Sequence, residues 1–192
     1  MRITRLPAHD YRRMRWKNDR GWTREILRVP DRDDYDWRVS IAEIDADCDF
    51  SAFPGCDRVL VLVRGNGMRL RFEDGREVAL NPPHGSIAFR GEDAATCTLA
   101  DGPTHDFNLI WRRGRVAAEL LHRPLVGPMV FLPERGVQWL VHVLAGRARV
   151  KDRPDIEALD LGDSLHIDND GRGERLILDG GGELLLARLR PA

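Results

Sequence analysis

Lysine is nearly missing from this chain. Only Lys17 and Lys151 occur, so 28 of the 30 basic side chains are arginine. Against them stand 31 acidic residues, for a net charge of −1. That balance excludes a nucleic-acid binder of the ordinary kind, whose affinity rests on clustered positive charge neutralising phosphates. No apolar run approaches the ~20 residues needed to cross a bilayer. The start, Met1-Arg2-Ile3-Thr4-Arg5-Leu6-Pro7, has no apolar signal core, which points to a cytoplasmic protein with no membrane partner. Cysteine is scarce: Cys48, Cys56 and Cys97 form no CxxC pair, and the odd count favours free thiols. There is no G-x-S-x-G elbow, P-loop or dinucleotide glycine fingerprint.

What is present reads as an ordinary globular protein. The 192 residues are 42% hydrophobic and 32% charged, enough for one domain or two small ones without metal or disulfide staples. The arginine excess follows from base composition as readily as from anion recognition by guanidinium forks.

Strand signals dominate. Val59–Val63 is apolar on both parities, and Gly65-Asn66-Gly67 permits a tight turn after it. Met68, Leu70 and Phe72 alternate with Arg69 and Arg71, the period of a half-buried strand. Asp74-Gly75 is a hairpin signal, and Val78–Leu80, Ser86–Phe89, Thr96–Leu99 and Phe107–Trp111 supply further strands. The same grammar recurs. Leu140–Val150 reads like Leu60–Phe72, Ala158–Ser164 like Val78–Ser86, and Asp179–Leu186 like Asp101–Leu109. This suggests a duplicated β unit. The stretch from 114 to 123 reads as a linker with a weak helical period, Val116, Ala117, Leu120 and Leu121.

Twice over, the pattern Val-Leu-x-Gly-x-Gly, Asp-Gly, Leu-x-Pro and a Ser-x-x-Phe strand resembles a cupin half-barrel. The expected fold is therefore all-β, a bicupin of two jelly-roll-like halves. Residues 1–112 hold the N-terminal strands and first half, and 113–192 hold a linker and the second half, with strands exchanged into one compact unit.

Metal-binding cupins converge imidazoles and a carboxylate on one ion, commonly through His-x-His. None of the six histidines, His9, His84, His105, His122, His142 and His166, is paired that way. His142 and His166 could approach each other, with Glu174 beyond a Gly-rich turn, but local hydrogen bonding is the simpler role for both. No metal and no other cofactor is expected.

The most unusual residues lie outside the repeats. Trp16–Ile26 packs two tryptophans, an asparagine and several charges into one stretch, and as a strand from Trp22 it puts Thr23 and Glu25 on one face. Asp36–Ile44 alternates likewise, with Trp37, Val39 and Ile41 suited to a packed face and Arg38 and Ser40 on the other. Asp106, Asn108 and Ile110 share one parity.

These stretches carry a family resemblance. Trp16-Lys17-Asn18 with Gly21-Trp22-Thr23-Arg24-Glu25-Ile26, Trp37-Arg38-Val39-Ser40-Ile41-Ala42-Glu43, Phe53-Pro54-Gly55 with Asp57-Arg58, Phe89-Arg90-Gly91-Glu92, and Gly102-Pro103 with Asp106-Phe107-Asn108 occur in the order seen in the HutD/Ves family. The resemblance implies a cytoplasmic bacterial bicupin without established enzymatic activity, tied to histidine utilisation. A small pathway acid such as formylglutamate or urocanate is the implied ligand, in a regulatory role. The family's usual Lys-Asn-Gly-Gly-Gly run is replaced here by Lys17-Asn18-Asp19-Arg20-Gly21, which puts close backbone approach to a ligand in question.

A small organic acid wants fixed cations and donors in a mostly apolar cavity. The candidate ligand-binding residues are Trp16, Lys17, Asn18, Thr23, Glu25, Arg38, Ser40, Arg58 and Asn108. Each also has a structural reading. Glu25 could simply pair with Arg38, Asn108 could satisfy backbone, and Asp57 and Asp106 suit local capping. Trp22 and Trp37 suit the core, and Trp16 suits a ligand platform. Two other function classes stay open. One is a metal-free enzyme, a lyase, isomerase or amidohydrolase using Glu25, His105 or Asp106 as acid/base. The other is an interaction scaffold or homodimer through a sheet face such as Leu184–Leu186, though burial between the two half-barrels fits those residues equally well.

Overall fold

A computed structural model describes residues 1–169, 171, 172 and 175–192. It is all-β. The strands in chain order are β1 (Arg2–Leu6), β2 (Arg12–Arg15), β3 (Gly21–Val29), β4 (Trp37–Ile44), β5 (Cys48–Asp49), β6 (Cys56–Arg64), β7 (Met68–Phe72) and β8 (Glu77–Leu80). They continue as β9 (Ser86–Arg90), β10 (Ala95–Leu99), β11 (Thr104–Arg112), β12 (Val116–Val126), β13 (Met129–Phe131), β14 (Gln138–Val150), β15 (Ser164–Asp168) and β16 (Leu176–Pro191). A 3-10 turn at Ala8–Asp10 is the only helix among the described residues, and none is long and apolar enough to cross a membrane.

The chain divides into two cupin-type β units, Arg12–Arg115 and Met1–Tyr11 with Val116–Ala192. In the first, a six-stranded sheet runs β2-β3-β4-β11-β6-β9 and a four-stranded sheet runs β5-β10-β7-β8. Alternation decides which side chains meet between them. Ala42 and Ile44 of β4 and Leu60 and Leu62 of β6 pack with Met68, Leu70 and Phe72 of β7, Leu80 and Cys97. The opposite parity of β7, Arg69 and Arg71, stays exposed and pairs with Glu77 across the hairpin. The two sheets do not join into a closed barrel.

The second unit repeats the plan with longer strands. Its sheet runs β1-β15-β14-β16-β12, with β13 also on β16. The order β15-β14-β16-β12 matches β9-β6-β11-β4 of the first unit. The turn glycine Gly65 separates β6 from β7, whereas its counterpart Gly146 lies inside the continuous β14. There β14 and β16 cross so closely that a methyl on Gly146 would collide with the Gly181 carbonyl, and one on Gly182 with that of Ala145. One long bent pair thus does the work of two short pairs.

Two expectations are corrected. The stretch from 114 to 123 is neither linker nor helix. From Val116 onward it lies in β12, which pairs with β16 from Val116↔Pro191 to Val126↔Gly181. Its apparent helical period reflects a partly covered strand, and an eleven-residue ladder outweighs so weak a local preference. Leu184–Leu186 offers no exposed apolar face either, since all three are buried. Residues 1–11 belong with the second unit. β1 pairs with β15, Arg5 reaches Asp163 at 2.9 Å, and Asp163 also accepts the Ala8 amide at 2.8 Å.

Candidate functional site

A hollow of about 500 Å³ opens in the Arg12–Arg115 unit. Its lining comes from the β2–β3 hairpin, β4, the segment around β5, β6 and β11. Trp16, Lys17, Asn18, Thr23, Arg38, Ser40, Arg58 and Asn108 all face it. Of the candidate residues only Glu25 does not. The structure adds Met14, Arg15, Ala42, Asp49, Phe50, Ser51, Phe53 and Asp106.

Strand parity explains the arrangement. β4 and β11 pair Ser40 with Asn108 and Ala42 with Asp106, while β11 and β6 pair Asp106 with Leu62 and Asn108 with Leu60. Trp37, Val39 and Ile41 take the other parity of β4 and are buried. Arg38 is held from behind. Its Nε donates to Glu25 Oε2 at 2.6 Å, and Glu25 also lies 3.4 Å from Arg28. Glu25 is therefore a clamp on Arg38, placed off the hollow beside the β-bulge that shifts the β3–β4 register.

The entrance is built by the hairpin. Trp16 Nε1 donates to Thr23 Oγ1 at 2.8 Å, fixing the indole at the hollow's edge. Its ring lies so close over Gly21 that a side chain there would collide with Trp16 and with the Glu43 carbonyl. Asp19 takes φ 56°, and Asn18 Oδ1 accepts the Arg20 amide at 3.1 Å. A left-handed residue at this turn explains the glycines usual there. Asp19 is exposed and pairs with Arg15, while Arg20 donates to the Asp47 carbonyl. Neither lines the hollow, so the substitution leaves the approach open. Lys17 and Asn18 are exposed at the mouth.

The floor is buried and polar. Arg58 is 4% exposed, ringed by Phe50, Phe53 and Phe89 at 5.5, 5.3 and 4.9 Å. Its Nη1 reaches the Ser51 carbonyl only at 3.4 Å, and its Nε has no partner. Burial lowers Arg58 to about 10, so it remains a cation at neutral pH. Asp106 is fully buried, and neither carboxyl oxygen has a hydrogen-bond partner among the described residues. Burial pushes it up to about 7, against the pull of Arg58. Asn108 Oδ1 is likewise unpartnered. Asp106 and Asn108 thus cap nothing, contrary to their structural reading. Asp57 has a structural role of another kind, an ion pair with Arg113 at 2.8 Å rather than a local cap. Polar atoms buried without partners are costly, and several converging on one hollow mark a place for a ligand or ordered water.

The surrounding motifs are structural supports. Phe53 donates its amide to the Gly91 carbonyl at 2.7 Å, and Gly91 donates to Cys56 at 2.8 Å, which pins the Phe50–Phe53 wall to the end of β9. Trp22, expected in the core, is instead covered from outside by Arg13 and Arg15 at 4.1 and 4.9 Å. His105 does not line the hollow.

The second unit keeps the frame without the polar floor. A register shift interrupts β11 beside Asp106 and β14 beside Val143. Aligned on those bulges, Asp106, Asn108 and Arg58 correspond to Leu184, Leu186 and Trp139, which lie in or against an apolar core. Its three strand histidines are engaged locally, and His122 Nε2 lies 2.9 Å from Glu183 Oε2. His142 Nδ1 lies 2.9 Å from Ser164 Oγ, and His166 Nε2 lies 2.9 Å from Gln138 Oε1. Glu174 lies outside the described residues.

Comparison with known proteins gives a consistent picture. The sequence profile of the HutD family matches residues 8–186. An uncharacterised 21.2 kDa protein from the hutC 3′ region of Pseudomonas putida is 42% identical over 117 residues, 60% of this chain and 61% of that one. Protein Ves of Citrobacter koseri is 30% identical over 176 residues, covering 91% of this chain and 87% of that one. The structure of HutD from Pseudomonas fluorescens SBW25 superposes with a TM-score of 0.84 at 33% identity, over the whole of both chains.

Proposed function

The chain belongs to the HutD family, and from that premise we propose that its pocket binds a small organic acid of the formylglutamate or urocanate type. The protein is read as a non-catalytic, cytoplasmic regulator of histidine utilisation. The observation that carries the binding reading is the pair of guanidinium groups, Arg38 and Arg58, facing one hollow of about 500 Å³ with an apolar wall of Met14, Trp16, Phe50 and Phe53. That volume lies within the range of metabolite sites. Arg38 is oriented by Glu25 and also bonds Tyr35, and a guanidinium fork held in place suits a carboxylate. Arg15 and Lys17 add positive charge at the mouth. The location of the Pseudomonas putida relative in the hutC 3′ region supports the pathway assignment.

Calorimetric titration with formylglutamate, urocanate, glutamate and histidine tests the reading, with Arg38→Ala and Asn18→Ala as controls. Formylglutamate or urocanate is expected to bind, with weakening in both variants. No heat from any of the four at millimolar concentration would refute it.

One observation favours a second reading, a metal-free enzyme acting on a small acid. Asp106 is a buried carboxyl brought near neutrality at the pocket floor, a state suited to proton transfer. Among the described residues, no histidine, and no carboxylate other than Asp49, accompanies it in the lining. Following urocanate and formylglutamate by NMR with native protein and Asp106→Asn decides the point, because enzymatic turnover would need to vanish in the variant.

A further inference from the structure

We propose that Asp106 determines specificity by accepting a hydrogen bond at the pocket floor, so that the site selects acids carrying an N–H donor as well as a carboxylate over plain carboxylic acids. This deepens the small-acid reading above and rests on it.

The argument is one of complementarity. The floor presents two kinds of unsatisfied group. Arg58 Nε is a donor without a partner, whereas both Asp106 oxygens and Asn108 Oδ1 are acceptors without partners. A plain dicarboxylate would satisfy guanidinium groups, but its oxygens can meet Asp106 only while that carboxyl is protonated and donates, and they leave Asn108 Oδ1 unpaired. An imidazole ring or a secondary amide brings an N–H that those acceptors lack. Sites built around a buried hydrogen bond reject analogues that cannot form it, because the protein's own group is then left unpaired.

The electrostatic surroundings of Asp106 are defined on each side. From β6 comes Arg58, which favours ionisation. From β4 comes Arg38, and from β5 Asp49, both in the lining, while Arg15 and Lys17 stand at the mouth. Cys48 of β5 and Cys97 of β10 feel the Asp106 charge, but burial raises both thiols, so they remain neutral near pH 7. Only Arg58 and burial act strongly, in opposite senses, and burial prevails. In the empty pocket near neutrality the carboxyl is therefore partly protonated. Docking of an N–H donor favours the carboxylate, and the carboxyl proton leaves to solvent as the N–H···O bond forms.

The test compares matched acids by calorimetry on the full chain. Urocanate is paired with 3-(2-furyl)acrylate, whose ring has no N–H, and N-formylglutamate with glutarate. The expected result is that at least one N–H-bearing acid binds about tenfold or more tightly than its counterpart. In Asp106→Leu, which removes the acceptor and puts in the residue that the second unit carries at the matching position, that ratio should fall to within about threefold, with plain acids retained through Arg38 and Arg58. A second readout needs no variant. At pH 7, titrations of native protein in phosphate and Tris should give different heats, reporting release of part of a proton with the N–H-bearing acid. Equal affinities within both pairs, an unchanged ratio in the variant, or no proton release would overturn the proposal while leaving small-acid binding intact. No binding by any of the four acids would overturn both.

Discussion

Replacing Asp106 with asparagine should stabilise the protein at alkaline pH, and the size follows from the pocket floor. The carboxyl moves from an ordinary 3.8 to about 7 because burial disfavours its charge more than Arg58 supports it. Between those values the folded chain holds a proton that the unfolded chain has released. Stability therefore falls as pH rises from about 4 to about 7, and levels off above that. At 1.36 kcal/mol per pH unit, the cost accumulated by pH 8 is about 4 kcal/mol. An amide of the same shape does not titrate. Urea unfolding of both proteins from pH 4 to 8.5, followed through tryptophan emission, isolates this contribution, because other titrating groups largely cancel in the difference. Trp37, 2% exposed in the same sheet, makes the signal sensitive to this unit. The variant should gain on the native protein steadily through pH 5–7. A difference flat to within about 1 kcal/mol over pH 5–8 would refute the reasoning. Such a flat difference would mean that Asp106 is an ionised partner of Arg58 throughout that range.

Other consequences are as direct. Gly21→Ala forces a methyl against the Glu43 carbonyl and the Trp16 ring, so it should cost roughly 1–3 kcal/mol, read as a lower urea midpoint. Trp16→Phe removes the 2.8 Å bond to Thr23 Oγ1; it should cost about 1 kcal/mol and abolish any emission change on ligand binding. In the second unit, burial pushes His166 down from 6.5 to about 4. Its neutral form is favoured by folding, so stability should drop by about 3 kcal/mol as pH falls from 6.5 to 4. His166→Gln should flatten that limb in denaturation curves at pH 4.5 and 7.

Much of this was legible because strand grammar is local. Alternation placed Arg38 and Ser40 opposite Trp37 and Val39, and Asp-Gly and Gly-x-Gly located the turns that close β6, β7 and β8. The failures are non-local. Nothing within Val116–Val126 announces that β16 will run beside it, and a partly covered strand leaves an apolar spacing like that of a helix. Residues 1–11 find their partners more than 150 residues away. Hydrophobicity alone points Trp22 to the core, but the ring is half-buried under two guanidinium groups. Asp106 was the costliest misreading. An aspartate near a strand entry usually caps backbone, and only the packed structure reveals that its oxygens have no partner.

The duplicated frame gives the polar floor its significance. Both units carry a register shift at the same place in the sheet, and three positions around it face each interior. In the second unit they are Leu184, Leu186 and Trp139, in or against a continuous apolar core, which is what the frame needs for stability. In the first they are Asp106, Asn108 and Arg58, with an open hollow above them. The frame tolerates apolar residues at all three positions, so the fold does not require the polar set. A buried guanidinium, a carboxamide and a carboxyl without partners work against stability. Their presence in one copy only, around a cavity walled by aromatic rings, is the pattern of stability given up for function rather than of an imperfect core.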